Sequence, residues 1–158
     1  MSRRIDFHDE PDAPVASVIV PSVNVAVSND LGELLLIRRT DNDNWALPGA
    51  GIDIGESLSQ AAVRETREES GIECEIIGLL GIYTDPQHVI LYTSNGEVRQ
   101  EFSVVLTARA IGGQLSASGE TSEARWVRLD EVATYQMDQS IRLRVGHLVE
   151  KRAIPYIG

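Results

Sequence analysis

Residues 50–72 read Ala50-Gly-Ile-Asp-Ile-Gly-Glu56-Ser57-Leu58-Ser-Gln60-Ala-Ala62-Val-Arg64-Glu65-Thr66-Arg67-Glu68-Glu69-Ser70-Gly71-Ile72. The spacing predicts a helix over Ser57 to Ser70. Ser57 is a natural N-cap, Gln60 completes a capping box three residues on, and Gly71 supplies the stop. At about 100° per residue, with Leu58 at zero, Ala62 falls near ~40° and Thr66 near ~80°. Glu65 falls near ~340°, Glu68 near ~280° and Glu69 near ~20° on the same wheel, with Arg64 and Arg67 pointing to the other side. Three carboxylates therefore crowd the edge of the apolar stripe that must face the core. A solvated, salt-bridged face would point away from Leu58 and Ala62. The like-charged Glu65/Glu69 pair at i,i+4 also costs a helix a few tenths of a kcal/mol.

A divalent cation explains the pattern. Hard ions such as Mg²⁺ or Mn²⁺ take oxygen ligands and cancel the repulsion between them. Residues 53–75 hold seven acidic and two basic residues, a net of −5 out of −10 for the chain. A charge so concentrated is not a general solubility device. It would repel an anion unless metal bridges the two, and phosphate compounds travel with Mg²⁺, so the site suits phosphate chemistry. Gly49, Gly51 and Gly55 upstream let the backbone pass close to a metal or phosphate.

Outward from the helix, strands are expected at Val15 to Ser28, Glu33 to Arg39, Trp45 to Leu47, Ile72 to Tyr83, Val89 to Thr93, Val98 to Ala110 and Ala124 to Val127. Turns fall at Asn29 to Gly32 and at Ser94-Asn95-Gly96, and Gly112 to Gly119 reads as a small-residue loop. Leu129 to Ala133 reads as a short helix, and the spacing of Ile141, Val145, Leu148 and Val149 as a second long one near 138–151. Strands on both sides of a central helix, without regular βαβ alternation, give the α/β class with a mixed sheet and helices packed on it. Residues 1–14, with Pro11 and Pro14, read as a polar arm expected to be partly flexible, and residues 15–158 as one domain.

The chain has 158 residues, 14 Lys+Arg against 24 Asp+Glu, and 42% apolar residues. That composition is globular, and its charge argues against nucleic acid or an anionic membrane as the main partner. Apolar runs are too short to span a bilayer, and the polar start Met1-Ser2-Arg3-Arg4-Ile5-Asp6 does not read as a secretory signal. A single cysteine, Cys74, excludes an internal disulfide and fits a reducing, cytoplasmic setting. Flanked by Glu73 and Glu75, it is a poor nucleophile. His88 stands alone in the sequence, with no second His or Cys at ligand spacing to suggest zinc.

The stretch resembles the Nudix box, G-x5-E-x7-R-E-U-x-E-E-x-G-U with U bulky and apolar. Glu56, Arg64, Glu65, Glu68, Glu69, Gly71 and Ile72 fall in register, and Trp45-x-Leu47-Pro48-Gly49 ahead of it is also typical. The likeness extends more loosely over about residues 15–150. Ala50 stands where the pattern has Gly, and Thr66 where it has an apolar residue, so the Thr66 hydroxyl needs a partner. The resemblance implies an α/β/α sandwich and a Mg²⁺- or Mn²⁺-dependent hydrolase of nucleoside diphosphates linked to another moiety. It maps metal ligands onto Glu68, Glu69 and the Gly49 carbonyl, and a metal-binding or general-base role onto Glu65. Glu56 maps as support to the cluster, and Arg64 as the arginine that orients the glutamates. A later glutamate often serves as base; Glu120 is the first candidate, with Glu123 and Glu101 behind it. Of the strand-end arginines only one can face the site, and Arg38 is preferred for phosphate over Arg39. Tyr83 and Trp45 are candidates to stack on a base. A non-catalytic nucleotide-sensing module on the same fold is the rival reading, disfavoured because such modules lose box glutamates. An isoprenoid diphosphate isomerase is a second rival, and Cys74 is in the wrong context for it. The partner expected is a nucleotide-type small molecule. The class is also compatible with a homodimer, although no interface stripe is legible.

Overall fold

The protein is described from a computed structural model covering residues 2–158; Met1, the first residue of the expected arm, lies outside the described residues. Among the described residues, twelve strands and two helices run in the order β1 Arg4–His8, β2 Val18–Ile19, β3 Ser22–Ser28, β4 Leu34–Arg39, β5 Trp45–Ala46, β6 Gly49–Gly51, α1 Leu58–Ser70, β7 Ile72–Tyr83, β8 His88–Tyr92, β9 Glu97–Gln100, β10 Ser103–Gly113, β11 Thr121–Val127, α2 Gln139–Glu150 and β12 Tyr156–Ile157. The larger sheet has the order β11-β4-β3-β10-β7-β12, with β5 beside β4 and β6 beside β3. It is mixed: β3 runs parallel to β10, and β10 antiparallel to β7.

Helices cover both faces of this sheet, and residue alternation sorts the side chains between them. Val23, Val25, Val27 and Leu35 pack with Ala61 and Ala62 of α1. Ala26, Leu34 and Leu36 pack with Ile141 and Val145 of α2. Burial on both faces explains why Leu34 to Ile37 is an unbroken apolar run rather than an alternating one. The α1 caps are as the sequence predicts. Ser57 accepts from the Gln60 N–H, the reciprocal Gln60 bond is present, and Gly71 sits at φ 78°. Thr66, fully buried, donates its hydroxyl to the Ala62 carbonyl at 2.8 Å. The polar group at that apolar box position is thus satisfied within the helix.

Four expectations are corrected. The arm over residues 1–14 contains β1, which pairs antiparallel with β8 in a second sheet of order β1-β8-β9-β2. The strand expected over Val15 to Ser28 is two strands in different sheets, broken at Val20-Pro21, where proline can donate no ladder bond. Likewise Val98 to Ala110 divides at Glu101-Phe102, where the chain crosses between sheets. The short helix near Leu129 is a single 3₁₀ turn at Val132–Thr134.

Near the site, β3 and β4 share only the pair Ser28–Leu34 and then part. Into the gap fold β5, paired with β4, and β6, paired with β3. That split opens a cleft of about 920 Å³.

Candidate active site

Of the three α1 carboxylates expected together at the edge of the apolar stripe, two are buried there and one is not. Glu65 and Glu69 are buried, at 6% and 4% exposure, while the Glu68 side chain is 56% exposed. Glu65 and Glu69 line the cleft together with Gly49, Arg39 and Glu120. The Glu69 Oε2 atom has no hydrogen-bond partner among the described residues. Burial, then the adjoining Glu65 carboxyl, push the Glu69 proton affinity far above the ordinary carboxylate range, against the opposing charge of Arg39. Two buried carboxyls with one oxygen orphaned are unfavourable without a counter-cation. The donor set is all oxygen, so these residues fit a hard divalent ion.

Arg64 departs from its expected direction. From the far side of the wheel its guanidinium folds back and binds Glu56 through Nε at 2.9 Å and Nη2 at 2.5 Å. Its Nη1 reaches Glu65 at 2.6 Å and Glu68 at 3.2 Å. One planar fork thus spans three acidic side chains, geometry that a lysine cannot match. The Arg64 hydrogen bonds, with a backbone N–H from Asp53, lower the Glu56 pKa to about 2. Arg67 does stay outside, 56% exposed.

Gly49 adopts φ +151°, and a Cβ there would sit 1.9 Å from the Val23 carbonyl oxygen. Only glycine lets this backbone lie between β3 and the Glu69 carboxylate.

Glu120 lies in the loop before β11, at the cleft. Its carbonyl accepts from the Thr40 N–H at 3.0 Å, and the Thr121 hydroxyl donates to the Glu69 carbonyl at 2.7 Å. The loop is therefore pinned to both β4 and the end of α1. Glu123 pairs with Arg125 outside the cleft. Glu101 is buried at the cleft wall and engaged by Ser103.

Two substrate-side expectations change. Arg39, not Arg38, lines the cleft. Arg39 shares strand parity with Ile37, which also lines the cleft, and is held by Asp41 at 2.8 and 2.6 Å, whereas Arg38 has the opposite parity and pairs with Asp43 at 3.0 Å. Tyr83 does not line the cleft. It is buried, with its hydroxyl at 2.8 Å from His147 Nδ1 and its ring 4.9 Å from Tyr156. The face of β7 that carries it packs on α2, so it serves the core. Trp45 does border the cleft, with Tyr135 edge-on at 5.1 Å. Cys74 is buried, and burial first, then Glu73, raise its thiol pKa. His88 is not alone, because the fold brings His8 against it with ring centroids 4.2 Å apart. No sequence spacing announces a pair separated by so much chain.

The family model for the NUDIX domain matches residues 18–145. A "MutT-like protein" of Streptomyces ambofaciens is 34% identical over 120 residues, covering 76% of this chain and 69% of the relative. An "ADP-ribose pyrophosphatase" of Methanocaldococcus jannaschii is 33% identical over 109 residues, covering 67% of this chain and 60% of the relative. The crystal structure of a MutT protein from Methanosarcina mazei Go1 has a TM-score of 0.68 at 21% identity, covering 89% of this chain and all of that one, and so has the same fold. The chain belongs to the Nudix family, of the MutT-like type. Among the described residues, no helix is long and apolar enough to cross a membrane.

Proposed function

We propose that this chain is a hydrolase of phosphoric anhydride bonds, dependent on Mg²⁺ or Mn²⁺, that cleaves the diphosphate bridge of a nucleoside diphosphate linked to another moiety. The observation that carries the reading is the orphaned Glu69 Oε2 beside Glu65 in the cleft. The name of the Methanocaldococcus relative, an ADP-ribose pyrophosphatase, supports the substrate class.

Glu65, Glu68, Glu69 and the Gly49 carbonyl would hold the metal, which supplies charge neutralisation and a more acidic water. Arg64 holds Glu65 and Glu68 in place, and Glu56 holds Arg64. Arg39 meets the diphosphate oxygens from the opposite wall. Glu120 takes the proton of the attacking water, with Glu65 the other base within the cleft. The water oxygen bonds to phosphorus, the bridging P–O bond breaks, and two phosphate-bearing products leave. Nucleic acid and membrane are not partners in this reading, and the setting is cytoplasmic.

The test is a panel of nucleotides incubated with chelator-treated protein, following phosphate or pyrophosphate release. Turnover is expected with Mg²⁺ or Mn²⁺ and none without. No turnover on any member with either ion would overturn the assignment. Arg39→Ala is expected to raise KM for the best substrate about tenfold or more, since a charge-assisted contact is lost. Arg38→Ala breaks only a surface pair and should leave kinetics nearly unchanged. Equal effects of the two variants in steady-state assays would refute the choice of Arg39.

A further inference from the structure

Away from the glutamate helix, the cleft wall carries a cluster that no step above uses. Strand alternation puts Arg4, Asp6 and His8 on one face of β1. The antiparallel register sets His8 directly opposite His88 on β8. Each ring turns its Nε2 to a carboxylate: His88 to Asp6 Oδ1 at 2.8 Å, His8 to Asp138 Oδ2 at 3.0 Å. One ligand atom from each of Asp6, His8, His88 and Asp138 lies within 4.8 Å of every other.

We propose that Asp6, His8, His88 and Asp138 form a second metal site, suited to a zinc-like divalent ion and separate from the glutamate helix. The donor set is the first argument. Two imidazole nitrogens with two carboxylate oxygens match Zn²⁺, whereas the all-oxygen glutamate site matches Mg²⁺ or Mn²⁺. Size is the second. Bonds of 2.0–2.1 Å in a tetrahedron put ligand atoms ~3.4 Å apart, so a small inward movement of these donors closes the site. The third argument is the support behind the ligands. His88 Nδ1 faces the buried Glu101 Oε2 at 3.4 Å. A carboxylate there keeps the ring proton on Nδ1 and leaves the Nε2 lone pair aimed at the cluster. Asp138 caps α2 through Oδ1, bound by Ser140 N–H at 2.9 Å, so Oδ2 remains for the ion. Arg4 donates to both Asp6 oxygens, Nε to Oδ2 at 2.9 Å and Nη2 to Oδ1 at 2.8 Å, which fixes the carboxylate so that the ion would take the Oδ1 lone pair now facing His88.

The site joins three segments distant in sequence. Asp6 and Asp138 line the same cleft as Glu65 and Glu69, so a bound ion ties β1 to the start of α2 along the rim of the cleft.

The chain has three histidines, and the third, His147, is held by Tyr83 in the core. Long-range ¹H–¹⁵N NMR of the imidazoles in the metal-free full chain, titrated with ZnCl₂, therefore carries its own control. The Nε2 resonances of His8 and His88 are expected to move together and saturate at about one equivalent, with His147 unmoved. Asp138→Asn keeps the helix cap and should weaken Zn²⁺ binding at least about tenfold. His8→Gln, at a partly exposed position, is the second variant and should do the same. Glu69→Gln should leave the shifts in place. Unmoved imidazoles, unchanged affinity in the folded variants, or shifts abolished by Glu69→Gln would each overturn the site and leave a hydrogen-bonded network only.

Discussion

Glu69→Gln is expected to lower turnover about 10³-fold or more while raising the melting temperature of the metal-free protein. The rate loss follows from removing a ligand of the ion that carries the charge of the transition state; a thousandfold corresponds to about 4 kcal/mol. The stability gain follows from burial. Glu69 is 4% exposed, adjoins Glu65, and has an oxygen without a partner. A neutral amide of the same shape removes like-charge repulsion and part of the desolvation cost, about 1–2 kcal/mol, or roughly 2–8 °C in a domain of this size. The pH dependence has a defined sign. A carboxyl whose proton affinity is raised on folding contributes most below its unfolded pKa, and that contribution fades as pH climbs toward the raised value. Metal-free wild type should lose stability as pH rises above the ordinary carboxylate range, and the variant should lose less. Calorimetry with and without Mg²⁺ checks the stability claims and single-turnover assays the rate. A variant that turns over normally, or melts lower than wild type at neutral pH, would contradict them.

Gly49→Ala is the second large effect. The added methyl would stand 1.9 Å from the Val23 carbonyl oxygen, 2.6 Å from Asn24 Nδ2 and 2.8 Å from Asn24 Cα. Backbone atoms of a central strand cannot yield by that much, and φ +151° is itself strained for alanine. A loss of about 3 kcal/mol or more is expected, with activity lost as the Gly49 backbone, whose N–H donates to the Glu69 carboxylate, moves away from it. Gly55→Ala is the contrast. At φ +95° its Cβ would meet nothing within 4 Å, so only backbone strain of about 1–3 kcal/mol applies, and the glutamate cluster is spared. Denaturant melts and turnover of the two proteins, compared side by side, decide whether close approach at Gly49 is what the loop requires.

The glutamate helix was legible because everything that specifies it lies within a few residues. The capping box, the αL stop at Gly71 and the carboxylates at i, i+3 and i+4 interact along one helix. The burial of Glu65 and Glu69 agrees with the wheel, where they fall between Ala61 and Ala62, while Glu68 lies outside that arc and is exposed. Arg64 shows the limit of that wheel. Its Cα points away, but four rotatable bonds carry the guanidinium back to Glu56. The choice between Arg38 and Arg39 needed to know which face of β4 meets α1, and an apolar run buried on both faces hides its own parity. Tyr83 was misplaced for the same reason, because a strand end near a site is also a strand end over the core.

By itself, then, the order of residues settled the α/β class, the capped helix and the acidic pattern that carries the family, all of them products of short-range geometry. Only the folded chain decided that Arg39 faces the cleft, that the sheet parts beside Gly49, and that His8 meets His88 across β1 and β8. Those outcomes depend on strand register and on which sheet each strand joins. Both are set by contacts between residues far apart along the chain, competing for the two sides of one core.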